Sequence, residues 1–251
     1  MPKMIILGSS NAIPDKDHEN THMIIVGKNH TMLIDCGSNP LLRLEQLNIG
    51  FEDVTDIILT HFHADHVAGL PIFLMNMWLL GRKRDLHIYG LDYTIDRFEK
   101  MMDLHSWTSW PDFFEVIVHR IPEQEMTPVF RGDEWHIHAS PVCHIIPNIG
   151  LRMEFNHTQK VISYSCDTEP CPEVVLLAKG ADLLIHEAAG ASRGHSSAYQ
   201  AGSIATEADA KSLCLIHYPT GQHGSQSLIS EAGKSFTGRV TLAKDFMELD
   251  C

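Results

Sequence analysis

The feature that most constrains this chain is the run Asp56-Ile-Ile-Leu-Thr-His61-Phe-His63-Ala-Asp65-His66, in which a short apolar segment ends in a cluster of imidazole and carboxylate side chains. Such a segment reads as a buried strand. On extended backbone, side chains two positions apart point the same way, so His61 and His63 can grip one cation. Asp65 and His66, at the turn into the next helix, can reach a second cation beside it. An ordinary solvated turn gives no reason to set so many ligand-type groups directly after an apolar strand. The fold must therefore bury this strand and open its end to a cleft.

A centre of this kind needs ligands from elsewhere in the chain. Candidates stand at the ends of other strand-like runs: His144 after Ser140-Pro-Val-Cys, Asp167 after Ile162-Ser-Tyr-Ser-Cys, and His217 after Leu213-Cys-Leu-Ile. Taken alone, each is a capping or loop residue. Beside the cluster they become the expected remainder, because two cations need a bridging carboxylate and histidines from distant strands. Glu187 in Leu183-Leu-Ile-His186-Glu187, and His195 in Gly194-His195-Ser196-Ser197, form a further pair. A carboxylate that orients an imidazole makes a proton donor for a leaving group; on chemistry alone, a surface Glu and a helix-leading His with Ser196 or Ser197 as N-cap fit the same residues.

Strand signals fall at Met4–Leu7, Met23–Val26, Thr31–Ile34, Asp56–Leu59, Leu86–Tyr89, Val116–Arg120, Trp135–Ala139, Gly150–Phe155, Lys160–Ser165, Asp182–His186, Leu213–His217 and Val240–Ala243. Helix signals fall at Pro40–Leu47, Val67–Leu80, Leu91–Leu104, Pro172–Lys179, Ser197–Ala208 and Gln226–Phe236. Strands interleaved with helices in two comparable halves predict an α/β fold of two sheets packed face to face with helices outside, as one domain over residues 1–251. The helix over Val67–Leu80 is apolar nearly all round, so it is expected to be buried or to form a subunit interface. The aromatic stretch Trp107 to Phe114 reads as core or dimer contact, with stacking on a base as the alternative.

Composition narrows the partners. Against 32 acidic residues stand 19 basic ones, a net charge of −13 that disfavours general nucleic-acid binding. Arg82-Lys83-Arg84 is the one conspicuous basic run and reads as a solvated helix end. No signal peptide or membrane-spanning segment is apparent, and the six cysteines lack C-x-x-C spacing, which suggests reduced core thiols and a cytoplasmic protein.

The order of motifs resembles the ribonuclease Z-like branch of the metallo-β-lactamase superfamily along nearly the whole chain. The resemblance rests on Leu7-Gly8-Ser9-Ser10-Asn11-Ala12-Ile13-Pro14, Leu33-Ile34-Asp35-Cys36-Gly37, the His61–His66 run continuing to Gly69-Leu-Pro71, Tyr164-Ser-Cys-Asp167-Thr168, Asp182 to Ala188, Gly194-His195-Ser196-Ser197 and Leu215-Ile-His217-Tyr218. It implies an αββα metallo-β-lactamase sandwich with two divalent metal ions per subunit. His61, His63 and His144 would hold one ion and Asp65, His66 and His217 the other, with Asp167 between them. His195, supported by Glu187, would sit over the scissile phosphate, and Asp65 would help handle the proton of the attacking water. Zinc is the expected metal, with manganese or iron accepted by the same ligand types. The family's dimers imply a homodimer through the region of Pro71–Leu80.

Two departures bear on the substrate. His144 and Asp167 are too close in sequence for the protruding tRNA-gripping arm that long-arm members carry between them. After the last ligand the family's Phe-Ser-x-Arg is replaced by Tyr218-Pro-Thr-Gly-Gln-His223, which removes a basic residue expected near the phosphate. The expected activity is therefore hydrolysis of a small or nucleotide phosphodiester. A tRNA 3′-processing endonuclease is the alternative, disfavoured by charge and by the missing arm; an arylsulfatase or other ester hydrolase and an inactive metal-binding scaffold complete the set.

Overall fold

The computed structural model describes residues 1–221 and 225–251, with residues 225 and 226 described through their backbone only. In the first half lie β1 (Lys3–Gly8), β2 (His22–Val26), β3 (Thr31–Ile34), α1 (Leu41–Gln46), β4 (Asp56–Ile58), α2 (Ala64–Val67), α3 (Leu70–Leu79), β5 (Leu86–Leu91), α4 (Asp92–Asp103) and β6 (Val116–Ile121). The second half holds β7 (Thr127–Arg131), β8 (Trp135–Pro141), β9 (Ile149–Phe155), β10 (Val161–Tyr164), α5 (Pro172–Ala178), β11 (Leu183–Glu187), α6 (Ala198–Glu207), β12 (Ser212–Ile216), α7 (Ser225–Ala232), β13 (Arg239–Leu242) and β14 (Glu248–Leu249).

These strands form two mixed sheets of seven, ordered β14-β1-β2-β3-β4-β5-β6 and β13-β12-β11-β10-β9-β8-β7. In each sheet antiparallel pairs give way to parallel ones, at β3/β4 in the first and β10/β11 in the second. The parallel strands are connected through helices on the outer faces, which is why they are apolar on both sides. Along β1 the alternation is explicit. Met4 and Ile6 join Met23, Ile137, Leu151 and Ile162 in the layer between the sheets, whereas Ile5 and Leu7 join Leu33, Ile57, Phe73 and Phe98 under the helices. The αββα sandwich expected from the sequence is the observed architecture.

The elements depart from expectation where a local signal is weak or double-edged. The single helix expected over Val67–Leu80 is two, broken at Ala68 and Gly69. A Cβ on Gly69 would lie 2.0 Å from the Ser38 carbonyl oxygen, so the close crossing of the two segments requires glycine there. Pro71 then starts α3 without loss of a needed donor. Leu70, Phe73, Leu74 and Met77 are buried, whereas Leu79 and Leu80 are exposed, so the helix is apolar all round but buried on one side only. Strand β7 escapes the pattern because Pro128 removes a ladder donor; it survives as an edge strand with a bulge between Pro128 and Phe130. β14, with two residues, is too short to announce itself.

Two side-chain expectations are corrected. Arg82 is not part of a solvated helix end: it is fully buried, and its guanidinium donates to the carbonyls of Arg84, Phe51, Val54 and Asp85 at 2.7 to 2.8 Å. It also lies 5.1 Å over the ring of Phe114. Cys143 is exposed, unlike the other five cysteines. The aromatic stretch packs against the core, with Phe114 buried in it: Trp110 stacks on Trp78 with centroids 4.9 Å apart, Trp107 meets Phe98, and Trp78 Nε1 donates to the Pro111 carbonyl. Replacing Arg82 by Met should strand those carbonyls and destabilise the protein by about 3 kcal/mol. A urea-unfolding midpoint equal to that of the parent would show that the guanidinium is not what ties the Phe51–Val54 loop to the end of α3.

Candidate metal centre

Each ligand candidate stands where a strand stops. β3 ends just before Asp35, β4 leads through Leu59 and Thr60 to His61, β10 leads through Ser165 to Cys166 and Asp167, and β12 ends just before His217. Asp35, Cys166 and His217 have φ of 62°, 53° and 52°, a left-handed conformation costly for non-glycine residues that turns the chain sharply at the sheet edge. The strain is sustained by buried surroundings and brings Asp35 behind His66, Cys166 behind His61, and His217 to Asp167.

The sequence-predicted residues meet in two neighbouring sets. In the first, His61 Nε2 lies 3.2 Å and His144 Nε2 3.0 Å from His63 Nδ1. In the second, one ligand atom each from Asp65, His66, Asp167 and His217 lie within 4.8 Å of one another. Asp167 Oδ2 is 3.2 Å from His217 Nε2, 3.5 Å from His66 Nε2 and 3.9 Å from His61 Nε2, so it touches both sets.

The remaining ring nitrogens are held from behind, which fixes both tautomer and orientation. His66 Nδ1 donates to Asp35 Oδ2 at 2.8 Å, His144 Nδ1 donates to the Gly194 carbonyl at 2.7 Å, and His61 Nδ1 and His217 Nδ1 meet the hydroxyls of Thr60 and Thr21. Asp35 in turn accepts from the Thr60 amide and hydroxyl. Gly37 packs so closely that a Cβ there would lie 1.8 Å from the Asp65 carbonyl oxygen.

Electrostatics favour a cation. Burial holds His61 and His144 below the ordinary imidazole value and His217 at about 4, so these rings present lone pairs at neutral pH. His66 goes the other way: burial opposes its charge, but Asp167 and Asp35 raise it well above the ordinary value. Burial likewise disfavours the charge on Asp167, yet His217 and His66 hold its carboxyl well below the usual range. His66 Nε2 and Asp167 Oδ1 are both buried without a hydrogen-bond partner among the described residues. A proton on His66 thus stands in for positive charge that a metal ion would supply better, and the nitrogen and carboxylate donor set fits such an ion.

Glu187 and His195 form the rim. His195 Nδ1 donates to Glu187 Oε1 at 3.0 Å, and the same carboxylate accepts from the amides of Thr168, Ser196 and Ala189. The His195 ring lies nearly parallel to His217, 6.0 Å away, and edge-on to His144 at 5.1 Å. Glu187 raises the His195 pKa above the ordinary value. Burial pushes Glu187 up to about 7, against the pull of its donors; with three amides aimed at the carboxylate, the shared proton belongs on His195. Ser197 caps α6 through a reciprocal pair with Gln200, settling which serine leads that helix.

Sequence reasoning had not assigned roles to Asp35, Thr60 or Glu169. Asp35 carries the same signal as Asp167, a carboxylate closing an apolar strand. Glu169 carries none, because its Gly194 partner is distant in sequence: its Oε1 accepts from the Gly194 amide at 2.7 Å. Gln222 and His223, part of the segment that replaces the family's basic residue, lie outside the described residues.

An αββα sandwich whose strand ends gather these ligands is a metal-dependent hydrolase of the metallo-β-lactamase superfamily, in its ribonuclease Z-like branch, acting on phosphodiester-type substrates. Within it the chain belongs to the family described as anti-Pycsar protein Apyc1, whose model matches residues 2–240. A ribonuclease Z of Mycolicibacterium gilvum is 30% identical over 256 residues, covering 90% of this chain and 87% of that protein. The ribonuclease Z of Methanothermobacter thermautotrophicus is 26% identical over 304 residues, covering 100% and 97%. The metallo-β-lactamase fold protein YhfI of Bacillus subtilis superimposes with a TM-score of 0.82 at 23% identity, covering 99% of this chain and 98% of its own.

Because Asp167 and Asp35 favour the charged form of His66, metal uptake at neutral pH should release protons to the buffer. Calorimetry in buffers of different ionisation enthalpy reads this directly; loading without proton release would show that His66 starts neutral.

Proposed function

We propose that the protein is a two-metal phosphodiesterase acting on a small or nucleotide phosphodiester, cyclic ones included. The observation that carries this reading is the Glu187–His195 pair set over a cluster in which Asp167 faces both ligand sets. His61, His63 and His144 would hold one ion and Asp65, His66 and His217 the other, with Asp167 shared; zinc is the expected metal, manganese or iron the alternatives. When bound, two such ions acidify a water and polarise the phosphoryl oxygens. Asp65 is positioned to take up the proton of the attacking water. His195, held by Glu187 through Nδ1, presents its other nitrogen to the leaving oxygen and donates a proton there. The connections between β8 and β9 and between β9 and β10 are short, which supports a substrate that needs no gripping arm.

Ribonuclease Z-type tRNA 3′ processing is the second reading. Curated relatives named ribonuclease Z, those of M. thermautotrophicus and M. gilvum among them, speak for it more directly than for a small substrate. Against it stand the net charge of −13 and an alignment of 304 positions on a chain of 251 residues, which leaves parts of the M. thermautotrophicus relative without a counterpart. We further propose one catalytic domain over residues 1–251, a homodimer through the exposed side of α3, and a reducing, cytoplasmic setting suited to its free thiols. No helix among the described residues is long and apolar enough to cross a membrane.

The test is hydrolysis of bis(p-nitrophenyl) phosphate by zinc- or manganese-loaded protein, with His66→Ala as the control, followed by cyclic nucleotides against precursor tRNA. Turnover of cyclic nucleotides but not tRNA is expected; the reverse would select the second reading, and no phosphodiester turnover by fully loaded protein would sink both.

Asp167→Ala should lose both ions, whereas His195→Ala should keep them and lose roughly 10²- to 10⁴-fold in turnover. The sign of the pH effect follows from the raised His195 pKa: the donor is protonated below that value, so turnover falls as pH rises through it. The alkaline limb should disappear in His195→Ala, and an unchanged limb would remove His195 from the role of donor.

A further inference from the structure

Among the described residues, one other group of ligand-type side chains outside the catalytic cluster is gathered as closely. One ligand atom each from Cys143, Cys171 and Glu173 lie within 4.8 Å of one another, the same closeness that unites each catalytic set. Cys143 is exposed, Cys171 is buried and Glu173 is half-buried. Glu173 Oε2 is itself buried and has no hydrogen-bond partner among the described residues, a costly arrangement for a carboxylate oxygen unless a cation meets it. No disulfide joins the two cysteines.

We propose that Cys143, Cys171 and Glu173 form a third cation site, specific for a thiophilic divalent ion such as zinc. Two thiolates and a carboxylate are a zinc-type donor set, and one open position remains for water. This donor set is distinct in kind from the catalytic one, which the ribonuclease Z-like reading builds from nitrogen and carboxylate oxygen. Exposure of Cys143 gives the ion an entry path.

The location gives the site a consequence. Cys143 directly precedes His144, and Cys171 and Glu173 lie a few residues beyond Asp167. These two segments are already laced together: the Cys143 amide donates to Thr168 Oγ1 at 3.1 Å, the Glu169 amide donates to the Cys143 carbonyl at 2.8 Å, and Thr168 Oγ1 lies 3.6 Å from Cys171 Sγ. An ion on the three side chains would clamp the segments that present His144 and Asp167. The site would tie the outer end of the cleft without touching substrate.

Cobalt loading of the full chain under reducing conditions tests this apart from any activity. Stripped protein titrated with Co²⁺ should develop a thiolate-to-cobalt charge-transfer band, and metal analysis should count one more ion per chain than in Cys143→Ser. The band should vanish in Cys143→Ser, whose hydroxyl stays at an exposed position, weaken in Glu173→Gln, and persist in His61→Ala, where the catalytic set is broken. Absence of a band in fully loaded protein would overturn the proposal. So would a band that survives Cys143→Ser, since Cys166 Sγ lies 3.7 Å from His61 and is an alternative source. A Cys143–Cys171 disulfide that forms on air oxidation, in protein whose reduced form takes up no cobalt on sulfur, would equally replace the metal site with a redox pair.

Discussion

Everything in the cleft depends on the crowding of ionisable groups around Asp167. A carboxylate almost fully removed from water, with imidazoles of His217, His66 and His61 within 3.2 to 3.9 Å, is tolerable only where positive charge is supplied. The protein supplies part of it through His66, whose charged form is favoured by Asp167 beside Nε2 and Asp35 beside Nδ1. Neutral rings on the other side leave their lone pairs facing inward. The site is therefore built to take up cations: fixed anionic charge and unprotonated nitrogens gathered in one cleft.

The two-sheet architecture is what makes that crowding affordable. Ligands come from the ends of β4 and β10 and β12, strands of two different sheets, and meet because the sheets pack through a shared apolar layer. The left-handed backbone at Asp35, Cys166 and His217 is a local cost carried by that rigid support. Glycine at positions 37 and 69 then lets the His61–Val67 segment lie against the loop after β3, where any side chain would collide with a carbonyl oxygen. Backbone bonds between Cys36 and His66, and between Gly69 and Cys36, complete that seam.

How much of this was legible follows from what each signal consists of. Strand periodicity and the rule of polar residues closing apolar runs located the sheets and brought forward His61, His63, Asp65, His66, His144, Asp167 and His217, because both are local in sequence. Asp35 obeys the same rule, but its work is to orient His66 from behind, which the sequence pattern does not reveal. Arg82 misled because a run of three cations looks solvated, whereas its partners are backbone carbonyls, which no side-chain pattern reveals. The Cys143 cluster was hidden for a related reason: Cys171 and Glu173 are near neighbours, but Cys143 reaches them only through the packing of the loop after β8 against the start of α5.

The loop from Gly190 to Ser197 joins the proposed metal ligand His144 to the proposed proton donor His195. Gly194 has φ of 82°, and a Cβ there would lie 2.9 Å from His144 Nδ1, so the residue is glycine both for its conformation and for its neighbour. Its carbonyl orients His144, its amide is held by Glu169, and the next residue is His195. Glu169 also meets the Cys143 carbonyl through its own amide, so one residue touches the segments of a ligand, of the proton donor and of the thiol cluster. The bond from His144 to the Gly194 carbonyl therefore couples the placement of His144 to that of its neighbour His195. Holding the proposed donor in fixed relation to a proposed ligand is what in-line proton donation to a leaving oxygen would demand.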